Sequence, residues 1–390
     1  MRHRSFFVFL SVVLLVLFGL HYYLWARLVR DTGLKMPWKA IATCAIILFG
    51  LLIPVGITLI RTAPRSLAAP LSWVVYPWMG ISFFIVVLLA LGDLVKLPLW
   101  LNALISATPV DPERRLFING LVAALALAGS GGLSLFALFG ASAGAIRVKK
   151  VQVSLKKLSP EKNGYRIAQI TDLHVGSTIG LSYVQTVVDE TNALKADLIV
   201  ITGDLVDGSV EELKPLVEPL KNLKARDGVY FITGNHEYYT QDVQGWYDWL
   251  RGVGITPLEN QRVSIGGQKG FDLAGLPDLA ARQFGVIPDL EKTLAGRDPA
   301  KPVIVLSHQP VTFRETQKQG IDLQLSGHTH GGQMFPFYYL VRLAQPYMAG
   351  LYREGDSQLY VSRGTGYWGP PMRLGAPSEI TELELTPEKG

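Results

Sequence analysis

The sequence predicts an α/β fold, a four-layer α/β/β/α sandwich, preceded by an N-terminal bundle of about four transmembrane helices. Long uncharged apolar stretches occur only within residues 1–146. Beyond them, short apolar runs of strand length alternate with segments of helical periodicity, and further strand-like runs follow near the end. With 49% apolar and 18% charged residues, the 390-residue chain is more apolar than an average soluble protein.

Four apolar stretches are long enough to cross about 30 Å of hydrocarbon as helices. None contains Lys, Arg, Asp or Glu, and they cover residues 5–25, 40–60, 73–91 and 116–142. The first resembles a signal peptide, but its apolar core is too long and no small-residue cleavage site follows, which favours an uncleaved span. Residues 94–105 are interrupted by Lys96 and Pro98, so we expect an interfacial segment there. Residues 1–146 are therefore predicted to form a transmembrane region, and residues 147–390 a separate domain.

The distribution of basic residues gives a preferred orientation for these spans. Four spans put the N-terminus and the C-terminal domain on the same side of the membrane. That side carries nine basic residues, namely Arg2, Arg4, Arg61, Arg65, Arg147, Lys149, Lys150, Lys156 and Lys157. The other side carries seven, namely Arg27, Arg30, Lys35, Lys39, Lys96, Arg114 and Arg115. Because basic residues favour the cytoplasmic side, the C-terminal domain is predicted to be cytoplasmic, and the opposite orientation stays open.

The C-terminal domain reads as two packed sheets flanked by helices. Near-continuous apolar runs predict strands covered on both faces at residues 165–171, 197–202, 229–233, 302–307 and 322–326. Helical spacing of apolar residues predicts helices at 181–194 and 210–223. Antiparallel strands are predicted at 263–265, 271–274, 359–362 and 380–385. This order favours an α/β sandwich over a simple doubly wound sheet.

Five short polar signatures follow these strands. They are Asp172-Leu-His174, Gly203-Asp204, Gly234-Asn-His-Glu237, Ser307-His308 and Gly327-His-Thr-His330. Loops at the carboxyl ends of strands in an α/β sheet converge on one crevice, so we expect these side chains to meet. In two of the signatures a pair of polar residues is separated by one residue, as in Asp172-Leu-His174. We expect the two residues of each such pair to point to the same side of an extended chain.

The signatures supply two Asp, one Asn and five His, which is one more side chain than a two-metal site with a bridging carboxylate needs. The one cysteine, Cys44, lies in an apolar stretch, so any metal here is held by nitrogen and oxygen ligands. Such a set suits two divalent ions of Mn, Fe, Zn or Co. Two-metal sites of this kind hydrolyse phosphate esters with an activated water. The net charge of +5 shows no basic stripe with interleaved aromatics, so nucleic-acid binding is not expected.

The order D-x-H, GD, GNH, H, GHxH resembles the calcineurin-like metallophosphoesterase superfamily over roughly residues 165–335. The segment 364–380 also resembles the membrane-associated branch, whose described members hydrolyse phosphodiesters. In the protein Ser/Thr phosphatase branch the second signature continues to a phosphate-binding Arg. Here it reads Gly203-Asp-Leu-Val-Asp-Gly208, which argues against a protein phosphatase.

The resemblance implies a role for each residue of the signatures. Asp204 would bridge two metal ions, with Asp172, His174 and His330 on one and Asn235, His308 and His328 on the other. His236 would be the general acid that protonates the leaving oxygen. Beyond these roles, we expect Glu237 to be an outer hydrogen-bond acceptor or helix-start residue and Asp207 a surface cap. Trp368 and Arg373 are weaker candidates for substrate contact.

The leading hypothesis is a membrane-tethered, dinuclear metal-dependent phosphodiesterase that uses a metal-bridging hydroxide and acts on phosphate esters carried by lipids. A phosphomonoesterase acting on a soluble substrate is the first alternative. A metal-binding membrane receptor without catalysis is the second, although the intact His236 favours an enzyme. The expected partners are the bilayer and a phosphate-ester substrate, and the oligomeric state stays open.

Overall fold

The computed structural model describes residues 2–106 and 110–388. The chain forms two compact units, Met1–Ala137 and Leu138–Gly390. The second unit therefore begins somewhat before the predicted domain start at residue 147. Ala141 and Ile146 explain the difference, because both pack into the apolar core of the second unit.

The first unit consists of four helices that are long and apolar enough to cross a membrane. They are α1 (Arg2–Trp25, continued by a π-helical turn, Ala26–Arg30), α2 (Trp38–Thr62), α3 (Arg65–Ile105) and α4 (Pro112–Gly140). The last three residues of α4 already belong to the second unit. Many large apolar side chains on these helices are exposed, as contact with lipid requires. Helix α3 runs through the segment 94–105 that was expected to be separate. It does not stop at Lys96, because that side chain is buried among polar partners.

These partners form a polar cluster that joins three of the helices. Asp93 on α3 lies 2.9 Å from both Arg27 and Lys96, and Arg27 lies 2.6 Å from Asp31. Asn119 on α4 accepts a hydrogen bond from Lys96 at 3.1 Å and donates one to the carbonyl of Asp31 at 3.1 Å. The exposed Arg30 also pairs with Asp31 at 2.8 Å. Pairing between opposite charges is how ionisable groups are accommodated in a helical membrane bundle.

Two six-stranded sheets form the centre of the second unit. The first has the order β1-β12-β2-β3-β4-β5 and the second β10-β11-β9-β8-β7-β6. The strands are β1 (Arg147–Leu155), β2 (Tyr165–Ile170), β3 (Leu198–Thr202), β4 (Val229–Ile232), β5 (Ile255–Pro257), β6 (Gln261–Ile265), β7 (Phe271–Gly275), β8 (Val303–Leu306), β9 (Leu323–Ser326), β10 (Gly350–Glu354), β11 (Ser357–Val361) and β12 (Glu379–Pro387). Neighbouring strands β2, β3 and β4 are parallel, as are β7, β8 and β9.

Helices cover the outer faces of both sheets, which confirms the predicted four layers. Helices α5 (Leu181–Ala193), α6 (Val210–Val217) and α8 (Val243–Gly252) pack on the first sheet, and α9 (Leu290–Leu294) and α10 (Phe313–Thr316) pack on the second. Helix α7 (Asn235–Tyr239) follows β4, and α11 (Tyr338–Ala344) buries none of its residues. Between the sheets lies one apolar core that includes Ile167 and Leu198 of the first sheet and Ile304 and Leu323 of the second. The nine predicted strands are all present, and β1, β5 and β10 are additional.

Candidate metal centre

The five polar signatures lie at the carboxyl ends of five strands. Asp172 and His174 follow β2, Asp204 follows β3, Asn235 follows β4, His308 follows β8, and the pair His328 and His330 follows β9. Because β2, β3 and β4 are parallel neighbours in one sheet and β8 and β9 are parallel neighbours in the other, these loops emerge at one edge of the sandwich.

One group of candidate ligands consists of Asp172, His174 and His330, whose ligand atoms all lie within 4.8 Å of one another. Nε2 of His174 and Nε2 of His330 are 3.1 Å apart, and Nε2 of His330 is 3.5 Å from Oδ1 of Asp172. The backbone N–H of His328 also donates to the Asp172 carboxylate at 2.9 Å, which ties the loop after β9 to the loop after β2.

A second group consists of Asp204, His308 and His328. Nε2 of His308 is 3.1 Å from Oδ2 of Asp204 and 3.3 Å from Nδ1 of His328. The opposite ring nitrogen of His308 is 2.8 Å from the carbonyl of Thr202, so it donates there and leaves Nε2 as the ligand atom. Oδ2 of Asp204 is also 3.7 Å from Nε2 of His174, and Asp204 therefore lies between the two groups.

The residues fit a pair of divalent ions. Oδ1 of Asn235 is buried and has no hydrogen-bond partner among the described residues, so it is a buried oxygen acceptor without a donor. Burial and the charge of His308 lower the pKa of His328 to about 3. Burial and the charge of His174 lower the pKa of His330 well below its ordinary value. Imidazole nitrogens, carboxylate oxygens and an unpartnered amide oxygen are the donors that Mn, Fe, Zn or Co ions bind.

The backbone at these residues departs from the predicted geometry. Asp172, His174, Asp204, His328 and His330 all have φ between 50° and 70°, in the left-handed region that non-glycine residues rarely adopt. The chain at Asp172 and His174 is therefore not extended as predicted, although both side chains do reach the same group of candidate ligands. The loops that carry these five residues turn sharply instead, and such strained backbone conformations concentrate at functional sites.

Two glycines of the signatures allow the loops to approach each other closely. A Cβ atom on Gly234 would overlap Oδ1 of Asp204, and a Cβ atom on Gly327 would overlap Oδ2 of Asp172. The loops after β4 and β9 can thus pass directly over the two carboxylates only because these positions have no side chain.

Glu237 is fully buried and holds the loop that carries Asp204. Its carboxylate accepts hydrogen bonds from the backbone N–H groups of Asp204 at 3.0 Å, Leu205 at 2.7 Å, Val206 at 3.2 Å and Gly234 at 2.6 Å. Burial and the charge of Asp204 raise the pKa of Glu237 to about 7. Glu237 is absent from the two groups above and from a third group of side chains that could hold a metal ion, His174, Asp207 and His236, and it serves as a hydrogen-bond acceptor for the loop.

His236 lies at the rim of the site, beside the candidate metal ligands, and is paired with Asp207. Oδ1 of Asp207 is 2.6 Å from Nδ1 of His236 and 3.1 Å from Nδ1 of His174. Burial acts to lower the pKa of His236, but the charges of Asp204 and Asp207 raise it to about 9. Asp207 is exposed, as expected of a surface residue, but it pairs with two imidazoles, and the residue that caps the following helix α6 is Ser209. The sequence did contain a signal, since Asp207 follows Asp204 within the same turn.

The two weaker candidates for substrate contact differ in their surroundings. Trp368 is 49% exposed and its ring centroid is 6.3 Å from that of His236. Arg373 is buried, and its guanidinium donates to the carbonyls of Gly366 and Ala376 at 2.8 Å and lies 3.1 Å from Nδ1 of His330. This arrangement indicates that Arg373 stabilises the loops around it. Trp368 is the candidate for substrate contact that faces solvent.

Comparison with known proteins agrees with this geometry. The calcineurin-like phosphoesterase family matches residues 165–332. A metallophosphoesterase of Campylobacter jejuni is 32% identical over 391 aligned positions, which span 98% of this chain and all of the relative. The chain belongs to the calcineurin-like metallophosphoesterase family. It is a member of this hydrolase family that has a set of candidate metal ligands and four helices long and apolar enough to cross a membrane.

Other relatives match a smaller share of the chain. A Helicobacter pylori metallophosphoesterase is 43% identical over 245 residues, which is 62% of this chain and 64% of the relative. A zebrafish transmembrane protein with a metallophosphoesterase domain is 42% identical over 249 residues, which is 61% of this chain and 57% of the relative. The chain thus spans less than two thirds of these two relatives.

Proposed function

We propose that this protein is a membrane-tethered, dinuclear metal-dependent phosphodiesterase that acts on phosphate esters carried by lipids. The observation that carries the proposal is the position of Asp204, whose Oδ2 atom is 3.1 Å from His308 and 3.7 Å from His174. One carboxylate between two groups of imidazoles is the arrangement that a bridged pair of ions needs. His236 at the rim of the same site favours catalysis over simple metal storage or sensing.

Each residue of the site would then have its own role in binding the ions or in transferring the proton. Divalent ions bound there would supply positive charge that polarises a phosphoryl oxygen and lowers the pKa of water. Asp172, His174 and His330 would hold one ion, and Asn235, His308 and His328 the other, with Asp204 shared. His236 is protonated at neutral pH, because its pKa is raised to about 9, and would donate its Nε2 proton to the leaving oxygen. Asp207 would fix the ring orientation through Nδ1.

The surroundings of Arg373 favour a diester over a monoester. A monoester at neutral pH carries close to two negative charges, and phosphate sites commonly meet them with a bidentate arginine. The N–H groups of Arg373 are directed at carbonyl groups inside the fold, so this guanidinium is not presented to a phosphate. A diester carries one charge fewer and depends less on such a group.

The four long apolar helices support the proposal of a lipid-borne substrate. Tethering holds the site close to the bilayer and raises its effective concentration toward substrates that reside there. The exposed Trp368 beside His236 offers an apolar face at the rim of the site. The basic residues predict that the catalytic domain lies on the cytoplasmic side, and protease treatment of sealed vesicles of known orientation tests that placement.

A turnover assay tests the proposed reaction. The full chain, purified in detergent and supplied with Mn²⁺, is assayed with bis-p-nitrophenyl phosphate and with p-nitrophenyl phosphate at equal concentration. We expect a kcat/KM for the diester at least about tenfold higher than for the monoester, a difference of about 1.4 kcal/mol in transition-state stabilisation. A preference for the monoester would replace the proposal with a phosphomonoesterase. No turnover of either compound, with two ions bound, would favour a receptor.

A further inference from the structure

The segment that follows the last candidate ligands exposes a row of apolar side chains. Phe335, Tyr339, Leu340 and Leu343 lie on or beside α11 and are between 53% and 86% exposed. We call these four residues the apolar ridge. Helix α11 contains no buried residue. A contiguous apolar surface on a folded domain marks a contact with another molecule or with a membrane.

The ridge is attached firmly to the domain although its own side chains are not covered. The backbone N–H of Phe335 donates to the carbonyl of Leu374 at 2.8 Å, and that of Leu374 donates to the carbonyl of Gln333 at 2.9 Å. A seven-residue helix is too short to be stable alone, so these contacts fix its place. The apolar ridge therefore has a fixed position on the surface of the domain.

The same loop that holds the ridge also touches the end of the last apolar helix. Gly140, the final residue of α4, is so close to the carbonyl of Arg373 that a Cβ atom would lie 2.6 Å from it. Phe139, one residue earlier, is 71% exposed. These residues all belong to the second unit. Gly140 contacts Arg373, and the next residue, Leu374, is hydrogen-bonded to Phe335. These contacts link the end of a membrane-length helix to the ridge.

The ridge also borders the rim of the candidate metal centre. The side-chain amide of Gln333 donates to the carbonyls of Trp368 and Pro370 at 2.9 Å and 3.1 Å, and accepts from the backbone N–H of Trp368 at 2.9 Å. Trp368 in turn lies beside His236. The chain therefore places the end of α4, the ridge and the rim of the site along one connected stretch of structure.

The charge of the segment suits a lipid surface. Residues 331–349 contain no Asp or Glu and one basic residue, Arg342, which is exposed on α11. Aromatic and leucine side chains beside a basic residue, with no acidic residue within the segment, are typical of segments that lie at the boundary between headgroups and acyl chains. A surface that met a soluble protein partner would gain specificity from charges of both signs, which this segment does not have.

We infer that the apolar ridge docks onto the bilayer, with Leu340 and Leu343 inserted at the headgroup boundary, and so presents the metal centre to the phosphate of a membrane lipid. The inference rests on the proposed membrane tethering and adds a second point of attachment, made by the catalytic domain itself. The docked surface would set the distance from the bilayer at which a lipid phosphate reaches His236.

A fluorescent probe tests the docking directly in the full chain. With Cys44→Ser to remove the native thiol, Leu343→Cys is labelled with an NBD fluorophore, and Ile287→Cys serves as the matched control. Ile287 is 65% exposed on a loop attached to Asn260, next to edge strand β6 of the second sheet. In nanodiscs containing headgroup-proximal spin-labelled phospholipid, we expect the emission at 343 to shift to the blue and to fall at least twofold. The emission at 287 should remain that of a probe in water.

The outcomes separate docking from tethering. Water-like, unquenched emission at 343 in protein that resists carbonate extraction would overturn the docking and leave the tethered enzyme standing. Release by carbonate would overturn both. A blue shift without quenching by the spin label would identify a second copy of the chain or another protein as the occupant and would also overturn the docking.

A kinetic test uses Leu340→Ser with Leu343→Ser, and Ile287→Ser as its control. If the ridge docks, the double variant should raise KM for a phosphodiester lipid in vesicles about five- to twentyfold. Its kcat/KM for soluble bis-p-nitrophenyl phosphate should stay within twofold of the parent value. An equal loss on both substrates, or no loss on the vesicle substrate, would contradict the inference.

Discussion

Oδ1 of Asp207 is 2.6 Å from Nδ1 of His236. This pair connects the electrostatics of the site to its chemistry, because the carboxylate stabilises the charged imidazolium while leaving Nε2 available to a leaving group. The same Asp207 oxygen is 3.1 Å from Nδ1 of His174, a candidate ligand. One carboxylate thus orients both a candidate ligand and the candidate general acid.

The first prediction concerns the pH dependence of Asp207→Asn. A raised pKa means that His236 keeps its proton up to about pH 9 and loses it above that value. Activity that needs the proton should therefore be present at neutral pH and fall as the pH rises through about 9. Without the charge of Asp207, the alkaline limb of kcat should move to lower pH by about one unit. An unchanged alkaline limb in a pH–rate profile would show that Asp207 does not act through His236.

The second prediction concerns His236→Asn. If His236 donates the proton to the leaving oxygen, its loss should lower kcat by about 10²–10⁴-fold. The deficit should be smaller for p-nitrophenolate, which leaves without a proton, and larger for alkyl esters. Metal content, measured by elemental analysis, should barely change. A variant that loses metal would make His236 a ligand, and equal damage to both leaving groups would indicate a role in positioning phosphate.

The third prediction concerns Glu237→Gln. Its carboxylate accepts from four backbone N–H groups, and a glutamine amide nitrogen would face some of these donors with its own hydrogens. Leaving buried donors unsatisfied should cost about 1–3 kcal/mol of stability. Chemical unfolding of the full chain in detergent measures this loss. The control is Glu315→Gln, an exposed residue paired with Lys318, which should change stability by less than about 0.5 kcal/mol.

The fourth prediction concerns the polar cluster of the first unit. Asp93→Asn would leave Arg27 and Lys96 without their shared anion. Because Asp93 is 19% exposed, the expected cost is about 1–3 kcal/mol, below the range for fully buried pairs. Thermal unfolding in detergent should show a lower midpoint. Asp356→Asn, which removes an exposed partner of Lys156, is the matched control and should leave the midpoint unchanged. Equal midpoints for both variants would show that the cluster does not hold the bundle together.

The sequence predicted most of the fold because the buried strands are strongly patterned. Strands β3 and β8 are apolar along nearly their whole length, as is typical of strands covered on both faces, and β2 and β9 are buried along nearly theirs although they contain polar residues such as Gln169 and Gln324. Strand β1 was missed because its first residues, Arg147-Val-Lys-Lys150, are exposed and basic and read as a linker. It is an edge strand held by pairing with β12, a contact across more than two hundred residues that no local pattern records.

The candidate ligands were predictable from residue type and from their position after strands, whereas the loop geometry was not. The left-handed backbone of Asp172 and His174 follows from tertiary contacts, because their backbone N–H groups donate to the carbonyls of Gly203 and Asp204 at 3.0 Å. The role of Asp207 likewise depends on two imidazoles brought together by folding. The backbone propensities of these residue types give no indication of these arrangements.

The account depends most on Asp204, and metal analysis of Asp204→Asn tests it most directly. The full chain, purified in detergent and equilibrated with Mn²⁺, should contain close to two ions per chain. The Asp204→Asn variant should lose both ions and its turnover, because one carboxylate serves both groups of ligands. Asp189→Asn, an exposed change on α5, should keep both. Two ions and full turnover in the Asp204→Asn variant would contradict the shared site.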